Sequence, residues 1–147
     1  MPKPKVIFLC NENSARSQMA EAFLNRLAGD YFDVYSAGFE VSQIHPMTRT
    51  VMAEIGYDLE GHHAKPLSQY LGKKHFGILI TVCNKAETLC PTMPGLGTRL
   101  YWPFDNPSAF QGPEEAQLEV FRKTRDAIKT RIQAWLETRD LPEPDPE

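Results

Sequence analysis

Short apolar runs alternate with amphipathic segments along this chain, and this alternation is the strongest constraint on its fold. Residues 5–9 (KVIFL) form a β-branched run that ends at Cys10, and helical spacing over residues 17–28 places Ala20, Phe23, Leu24 and Leu27 on one face. The same patterns predict further strands at residues 33–37, 76–82 and 99–102 and further helices at residues 46–55 and 114–137. Such alternation predicts a three-layer α/β sandwich, with a four-stranded parallel sheet and helices on both faces.

The length of 147 residues, with 41% hydrophobic and 24% charged residues, fits one globular domain. We assign that domain to residues 1–139 and expect the acidic, proline-rich residues 140–147 to be disordered. No apolar run approaches the roughly 18 residues of a membrane-spanning helix, and no signal peptide is evident, so we expect a cytoplasmic protein. The net charge of -3, without a basic run, argues against nucleic acid or a membrane as a partner.

Residues 10–17 (CNENSARS) join the first strand to the first helix, at the edge of the sheet where α/β proteins place their sites. A short loop entering a helix turns its backbone N–H groups inward, and the positive end of the helix dipole then favours both an anion and a thiolate. Cys10 is therefore a candidate nucleophile, and the Arg16 guanidinium can bind two oxygens of a tetrahedral oxyanion. The predicted oxyanion-binding loop comprises Cys10, Asn11, Glu12, Asn13, Ser14, Ala15, Arg16 and Ser17.

Three polar residues of this loop have predicted supporting roles. Asn13 tolerates a left-handed backbone, while Ser14 and Ser17 are expected to cap the helix or to direct a hydroxyl at the thiolate. The alternative is that Cys10 only packs at the strand end and Arg16 is solvated. That alternative is weaker because a cation in the first helical turn opposes the dipole unless an anion accompanies it.

The C-x5-R-S pattern after a first strand resembles the signature of the low-molecular-weight tyrosine phosphatase superfamily. Within it, CNENSARSQMAE, the two later cysteines and WPFDNPS are similar to the thioredoxin-coupled arsenate reductases, over residues 6–135. The resemblance implies reduction of arsenate to arsenite, thioredoxin as a partner, phosphate and sulfate as competing anions, and no metal or organic cofactor. Glu12 departs from the family, in which a small residue is usual, and we expect its side chain to face solvent.

Cys83 and Cys90 lie seven residues apart in a stretch with helix-forming residues. Two helical turns separate their backbones by about 10 Å, so they can form a disulfide only if the segment unwinds. Two buried cysteines, or a zinc site with Cys10 and His62 or His63, are the alternatives, although zinc would leave Arg16 facing another cation. The resemblance implies instead that both cysteines are redox-active.

Asp105 lies in WPFDNPS, after the fourth predicted strand. The resemblance assigns it proton donation to the leaving oxygen, and the alternative is an Asx-turn in which its carboxylate caps its own loop. We expect Trp102 and Phe104 to shield the site from water. No catalytic role is assigned to the histidines.

The resemblance also implies residues that support the loop, namely Asn13, Glu21, Ser36 and Lys65. Some thioredoxin-coupled reductases bind potassium through groups matching the first three and an aspartate at position 65. Lys65 would repel that ion, and we expect its ammonium group to pair with Glu21 instead.

The mechanism that the resemblance implies is a cascade through three cysteines. Cys10 attacks arsenic, Cys83 then attacks Cys10 and releases arsenite, and Cys90 takes over Cys83 to present a disulfide to thioredoxin. Two alternatives stay open: a low-molecular-weight tyrosine phosphatase that uses Cys10, Arg16 and Asp105, and an oxyanion-binding or redox-sensing module without turnover.

Overall fold

The computed structural model of this chain describes residues 3–70, 73–83 and 97–138. Within these ranges the elements are, in chain order, β1 (Lys5–Cys10), α1 (Arg16–Ala28), β2 (Asp33–Gly38), α2 (Pro46–Ala53), a 3-10 helix at Leu67–Gln69, β3 (Ile78–Thr81), β4 (Thr98–Tyr101), a second 3-10 helix at Pro107–Ala109, and α3 (Glu114–Glu137). Cys90 and the predicted tail at residues 140–147 lie outside the described residues. None of the helices in the described ranges is long and apolar enough to cross a membrane.

The four strands are parallel and follow the order β2–β1–β3–β4. β1 is an interior strand, and its apolar residues Val6, Ile7, Phe8 and Leu9 are fully buried, as expected for a strand covered on both faces. β4 is an edge strand, which explains why the side chain of Arg99 is exposed. The predicted α/β class and four-stranded parallel sheet are confirmed.

Both faces of the sheet are covered. On one face Phe8 packs against Trp102, with ring centroids 6.2 Å apart, and Trp102 packs against Trp135 of α3 at 5.8 Å. Tyr35 of β2 is aligned with the residue before Phe8, so its side chain points to the opposite face. There its ring lies 5.4 Å from that of Tyr70, which follows the first 3-10 helix.

Most element ends agree with the sequence prediction to within two residues, and the differences have physical causes. β4 starts and ends one residue earlier than predicted, and α2 ends at Ala53, before Gly56 turns the chain with a φ of 85°. Leu27, predicted to be buried on α1, is 40% exposed because the last turn of α1 buries Ala28 instead. Helical spacing predicts which residues share a face, but it does not show which residues of that face lie beyond the elements that cover it.

Candidate active site

The loop between β1 and α1 lies at the carboxyl edge of the sheet. Cys10 is the last residue of β1 and Arg16 is the first of α1, so the turn consists of residues 11–15. Gly38 ends the neighbouring strand beside this turn, and a β-carbon there would lie 2.7 Å from the carbonyl oxygen of Asn11. The loop can therefore pack against β2 only because residue 38 has no side chain.

The thiol of Cys10 is buried and surrounded by hydrogen-bond donors. Asn13 donates its backbone N–H to Sγ at 3.2 Å, and Ser17 Oγ lies 2.8 Å from Sγ. Ser17 Oγ also accepts a hydrogen bond from Asn13 Nδ2 at 2.7 Å, which leaves the hydroxyl proton available to the sulfur. These donors and the N-terminus of α1 are placed where they would stabilise negative charge next to the sulfur.

Ser14 does not cap α1, contrary to one of the two roles predicted for it. The N-cap residue is Ala15, and no side chain makes a capping hydrogen bond there. Ser14 contributes its carbonyl oxygen instead, which accepts from the His45 N–H at 3.1 Å and from Thr48 Oγ1 at 3.2 Å. These bonds hold the loop against the start of α2. Of the two serines, Ser17 is the one whose hydroxyl lies against the Cys10 sulfur.

Asn13 adopts the left-handed backbone that the sequence predicts, with a φ of 54°. Its side chain joins three segments of the fold: Nδ2 donates to Ser36 Oγ on β2 at 3.0 Å as well as to Ser17, and Oδ1 accepts from the Lys65 N–H at 2.9 Å. The strained residue is therefore held by side-chain bonds on several sides.

Gln18 belongs to this network, although the sequence analysis did not select it. The side chain is fully buried, and Nε2 lies within hydrogen-bond distance of Asn13 Oδ1 (3.0 Å), Asn13 O (3.3 Å) and His63 O (2.9 Å). A polar residue in the first turn of a helix is usually solvated, so its position alone gives no signal of this role. Its place directly after residues 10–17 is the only hint that the sequence offers.

Lys65 is buried beside the loop and contacts the groups predicted for it. Its Nζ lies 3.6 Å from Glu21 Oε1, 3.4 Å from Ser36 Oγ and 3.1 Å from the carbonyl oxygen of His63. Ser36 in turn donates to Glu21 Oε1 at 3.0 Å. These residues do not fit a bound potassium ion, because an ammonium group already lies against Glu21 and Ser36 and would repel it.

Glu21 is held in its ionised form by its neighbours. Burial would raise the pKa of this carboxyl, but a hydrogen bond from His62 and the charge of Lys65 outweigh it, so the pKa is lowered below its ordinary value. His62 Nδ1 lies 3.3 Å from Glu21 Oε2. His62 is thus a second member of the cluster that the sequence analysis left without a role.

A cavity of about 240 Å³ opens above the Cys10 thiol. Its lining comprises Cys10, Asn11, Glu12, Ser14, Ala15, Arg16, Asn106, Ser108 and Ala109. Arg16 is 9% exposed and donates Nη1 to the carbonyl oxygen of Phe104 at 3.0 Å, yet it makes no ion pair with any described residue. A largely buried guanidinium that no described carboxylate engages, placed beside the Cys10 sulfur, is suited to binding an oxyanion.

Asp105 lies on the loop that borders this cavity but is not among the lining residues. Its side chain is exposed and has no hydrogen-bond or ion-pair partner within the described part of the chain. The Asx-turn considered for Asp105 is made by Asn106 instead, whose Oδ1 accepts from the Ser108 N–H at 3.1 Å and from Ser108 Oγ at 2.7 Å. The carboxylate of Asp105 is therefore not committed to its own loop.

Trp102 does not shield the cavity, contrary to expectation. It is 3% exposed and packs in the core beneath the loop, between Phe8 and Trp135, with the Arg131 guanidinium 5.0 Å from its ring centre. Phe104 contributes through its carbonyl oxygen, which anchors Arg16. These aromatic residues hold the loop in place rather than covering the site.

Cys83 and Cys10 follow neighbouring strands and reach the same edge of the sheet. The Val82 N–H, just before Cys83, donates to the Leu9 carbonyl oxygen at 2.9 Å. Both cysteines are buried and neither is in a disulfide. In the residues that are described, no three His, Cys, Asp or Glu side chains cluster closely enough to hold a metal ion. The zinc site considered above also needs Cys90, which lies outside these residues.

Comparison with known proteins shows the family of this chain. Residues 5–143 match the family described as low molecular weight phosphotyrosine protein phosphatase. The chain belongs to this family. The phosphatase resemblance drawn from the C-x5-R-S pattern is therefore confirmed.

Within the low molecular weight phosphatase family, the similar proteins include arsenate reductases. An arsenate reductase of Halalkalibacterium halodurans is 39% identical over 138 residues, covering 94% of this chain and 99% of that protein. A solved structure described as an arsenate reductase in the phosphate binding state has 30% identity and a TM-score of 0.74, covering 93% and 99% of the two chains. A thioredoxin-dependent arsenate reductase of Corynebacterium glutamicum has 25% identity and a TM-score of 0.65, covering 94% of this chain and 64% of that one.

Proposed function

We propose that this protein reduces arsenate to arsenite, with the oxyanion bound by residues 10–17. The observation that carries the proposal is the cavity in which a buried thiol with two hydrogen-bond donors faces a guanidinium that has no carboxylate partner. The arsenate reductases among the similar proteins support this substrate. The phosphate binding state of one of them supports phosphate as a competing anion.

In the first step the Cys10 thiolate attacks arsenic. An arsenic–sulfur bond forms, one arsenic–oxygen bond breaks, and the leaving oxygen departs as water after protonation by Asp105. The role of Asp105 rests on the resemblance, and it is supported by a carboxylate that no described residue engages. Arg16 would hold the remaining oxygens while its bond to the Phe104 carbonyl keeps the Asp105 loop close to the cavity.

In the second step the Cys83 thiolate attacks Cys10 Sγ. The sulfur–arsenic bond breaks, its electron pair stays on arsenic, and arsenite leaves while a Cys10–Cys83 disulfide remains. The position of Cys83 two residues after β3, the strand beside β1, supports this step. Cys90 then attacks Cys83 and releases the Cys10 thiolate, and a thioredoxin dithiol reduces the Cys83–Cys90 disulfide.

The second candidate is a tyrosine phosphatase, which the family of the chain favours. It would use the same thiol, guanidinium and aspartate through a phosphocysteine that water hydrolyses. A phosphatase does not require Cys83 or Cys90. We therefore expect phosphatase activity only as a weak side reaction of the same cavity.

The test is an incubation with arsenate, thioredoxin, thioredoxin reductase and NADPH, followed by the absorbance of NADPH. We expect oxidation of NADPH that requires both arsenate and thioredoxin, with one arsenite formed for each NADPH. Rapid hydrolysis of p-nitrophenyl phosphate without arsenate-dependent oxidation of NADPH would favour the phosphatase. The absence of both reactions would favour a binding or redox-sensing module.

A further inference from the structure

Two unpaired charges of opposite sign line the oxyanion cavity. Arg16 lies in the wall as a largely buried cation, and Glu12, an exposed residue, also lines the cavity. The Glu12 carboxylate forms no hydrogen bond or ion pair with any residue in the described ranges. Its exposure agrees with the expectation from the sequence, but its place in the cavity lining means that a bound oxyanion would be close to it.

The backbone of Glu12 is held beside the cavity by its neighbours. The Glu12 carbonyl oxygen accepts a hydrogen bond from the Ser42 N–H at 3.4 Å. The backbone of Glu12 also lies close to Gly38, where an added β-carbon would come within 2.9 Å of the Glu12 carbonyl carbon. The next residue, Asn13, is held by the network described above. Glu12 therefore adds a negative charge to the loop, while its backbone is held in place like that of its neighbours.

No cation within the described part of the chain forms an ion pair with Glu12. His45 senses the charge of Glu12, but burial lowers the pKa of His45 below its ordinary value. The cavity is thus acidic at Glu12 and basic at Arg16.

An ionised carboxylate can only accept hydrogen bonds. At the rim of an anion site it repels a ligand that carries charge but no proton, and it binds a hydroxyl group on a ligand that has one. Arsenate and phosphate keep at least one hydroxyl group at neutral pH, whereas sulfate has the same tetrahedral shape and no hydroxyl group. A site that hydrogen-bonds a ligand hydroxyl discriminates against an analogue that lacks it.

We propose that Glu12 makes the cavity selective for tetrahedral oxyanions that carry a hydroxyl group, such as arsenate and phosphate, over sulfate. This inference rests on the proposed oxyanion site but not on turnover of arsenate. It changes one expectation from the sequence, because sulfate should then be a weak competitor.

The test measures dissociation constants of phosphate and sulfate for the reduced full-length protein at pH 7 and constant ionic strength. Chemical-shift changes of the backbone amides of residues 10–17 report binding at the loop itself. We expect wild-type protein to bind phosphate at least about tenfold more tightly than sulfate. In Glu12→Gln, sulfate should bind about tenfold more tightly than in wild type, while the phosphate constant changes by less than about threefold because its lost hydrogen bond offsets the relieved repulsion.

Glu60→Gln is the matched control, because it removes an equal charge from an exposed residue that does not line the cavity. It should leave the ratio of the two dissociation constants unchanged. Equal binding of the two anions by wild type, or an equal gain for both in Glu12→Gln, would overturn the selectivity. If neither anion shifts the loop amides of wild type, the oxyanion site itself is wrong and the inference fails with it. If the ratio behaves as expected but arsenate is not reduced, only the proposed reductase function fails.

Discussion

We expect Cys10 to be needed for both arsenate reduction and phosphatase side activity, and Cys83 to be needed for arsenate reduction only. Cys10→Ser should abolish arsenate reduction and phosphatase side activity together, because both begin with the same thiolate. Cys83→Ser should lose arsenate reduction by at least about 100-fold and keep the hydrolysis of p-nitrophenyl phosphate within about twofold, because only reduction needs a second thiol. Parallel assays of both variants check this. An equal loss of both activities in Cys83→Ser would indicate a structural cysteine.

Asp105→Asn tests whether the exposed carboxylate donates a proton. The first step should slow by about 10²- to 10⁴-fold, since general acid catalysis contributes rate factors of this size. Single-turnover formation of arsenite is the measurement, and Asn106→Ala serves as a control that alters the same loop without removing a carboxylate. An unchanged rate in Asp105→Asn would leave the protonation to water or to another group.

Lys65 is expected to make the enzyme independent of potassium. Its ammonium group already contacts Glu21 and Ser36, so activity should be nearly equal in potassium, sodium and a large inert cation at matched ionic strength. In Lys65→Met the Glu21 carboxylate loses this cation, activity should fall, and potassium should partly restore it. Saturable activation of wild type by potassium alone would show that an ion site coexists with Lys65.

At the scale of elements, α2 depends on a histidine cap that is sensitive to pH. His45 Nδ1 accepts from the Met47 N–H at 3.1 Å, and protonation of this nitrogen removes the acceptor. Burial lowers the pKa of His45 from 6.5, although the Glu12 charge opposes that shift. Because the folded pKa lies below the unfolded one, the cap stabilises the fold above pH 6.5, and this contribution is lost as the pH falls through the folded pKa.

The free energy of unfolding should therefore decrease by up to about 1 kcal/mol more between pH 7.5 and pH 5 in wild type than in His45→Asn. Asparagine caps helices in both conditions, although it loses the contact of the His45 ring with Phe121, whose ring centroids lie 4.8 Å apart. Urea denaturation at the two pH values measures this difference. His63→Asn, which changes an exposed histidine, is the control, and an equal pH response in His45→Asn and wild type would contradict the cap.

At the scale of elements, the sequence predicts the strands, the helices and the short loop motifs, because these depend on periodicity and on residues adjacent in the chain. The apolar runs predicted the strands, and the C-x5-R-S pattern predicted the Cys10 loop. Asparagine at position 13 was compatible with the left-handed backbone found there. What the sequence missed depends on contacts between distant segments: Gln18 bonds to the carbonyl oxygen of His63, and His62 bonds to Glu21. No local pattern distinguishes such buried polar residues from solvated ones, because their partners are set by the tertiary fold.

At the scale of the whole molecule, the burial of Cys10 and Cys83 limits how electrons could enter in the proposed cascade. Cys10 is 2% exposed and Cys83 is 3% exposed, so a disulfide between them would lie beneath the surface that a protein partner can reach. Thiol–disulfide exchange requires direct attack on sulfur, which a buried bond prevents. A third thiol on a segment able to unwind, as inferred for Cys90, would solve this problem of access.

Cys90→Ser should therefore form about one arsenite per enzyme and then stop, because the thiols present complete only the first two steps. A burst of arsenite without steady oxidation of NADPH is the expected trace, and mass spectrometry of the stalled protein should show a Cys10–Cys83 disulfide. The stalled form should recover with a small reductant such as tris(2-carboxyethyl)phosphine, which enters the cavity, but not with thioredoxin. Steady turnover at the wild-type rate with thioredoxin would show that Cys90 only packs, and that the buried disulfide is accessible to a protein after all.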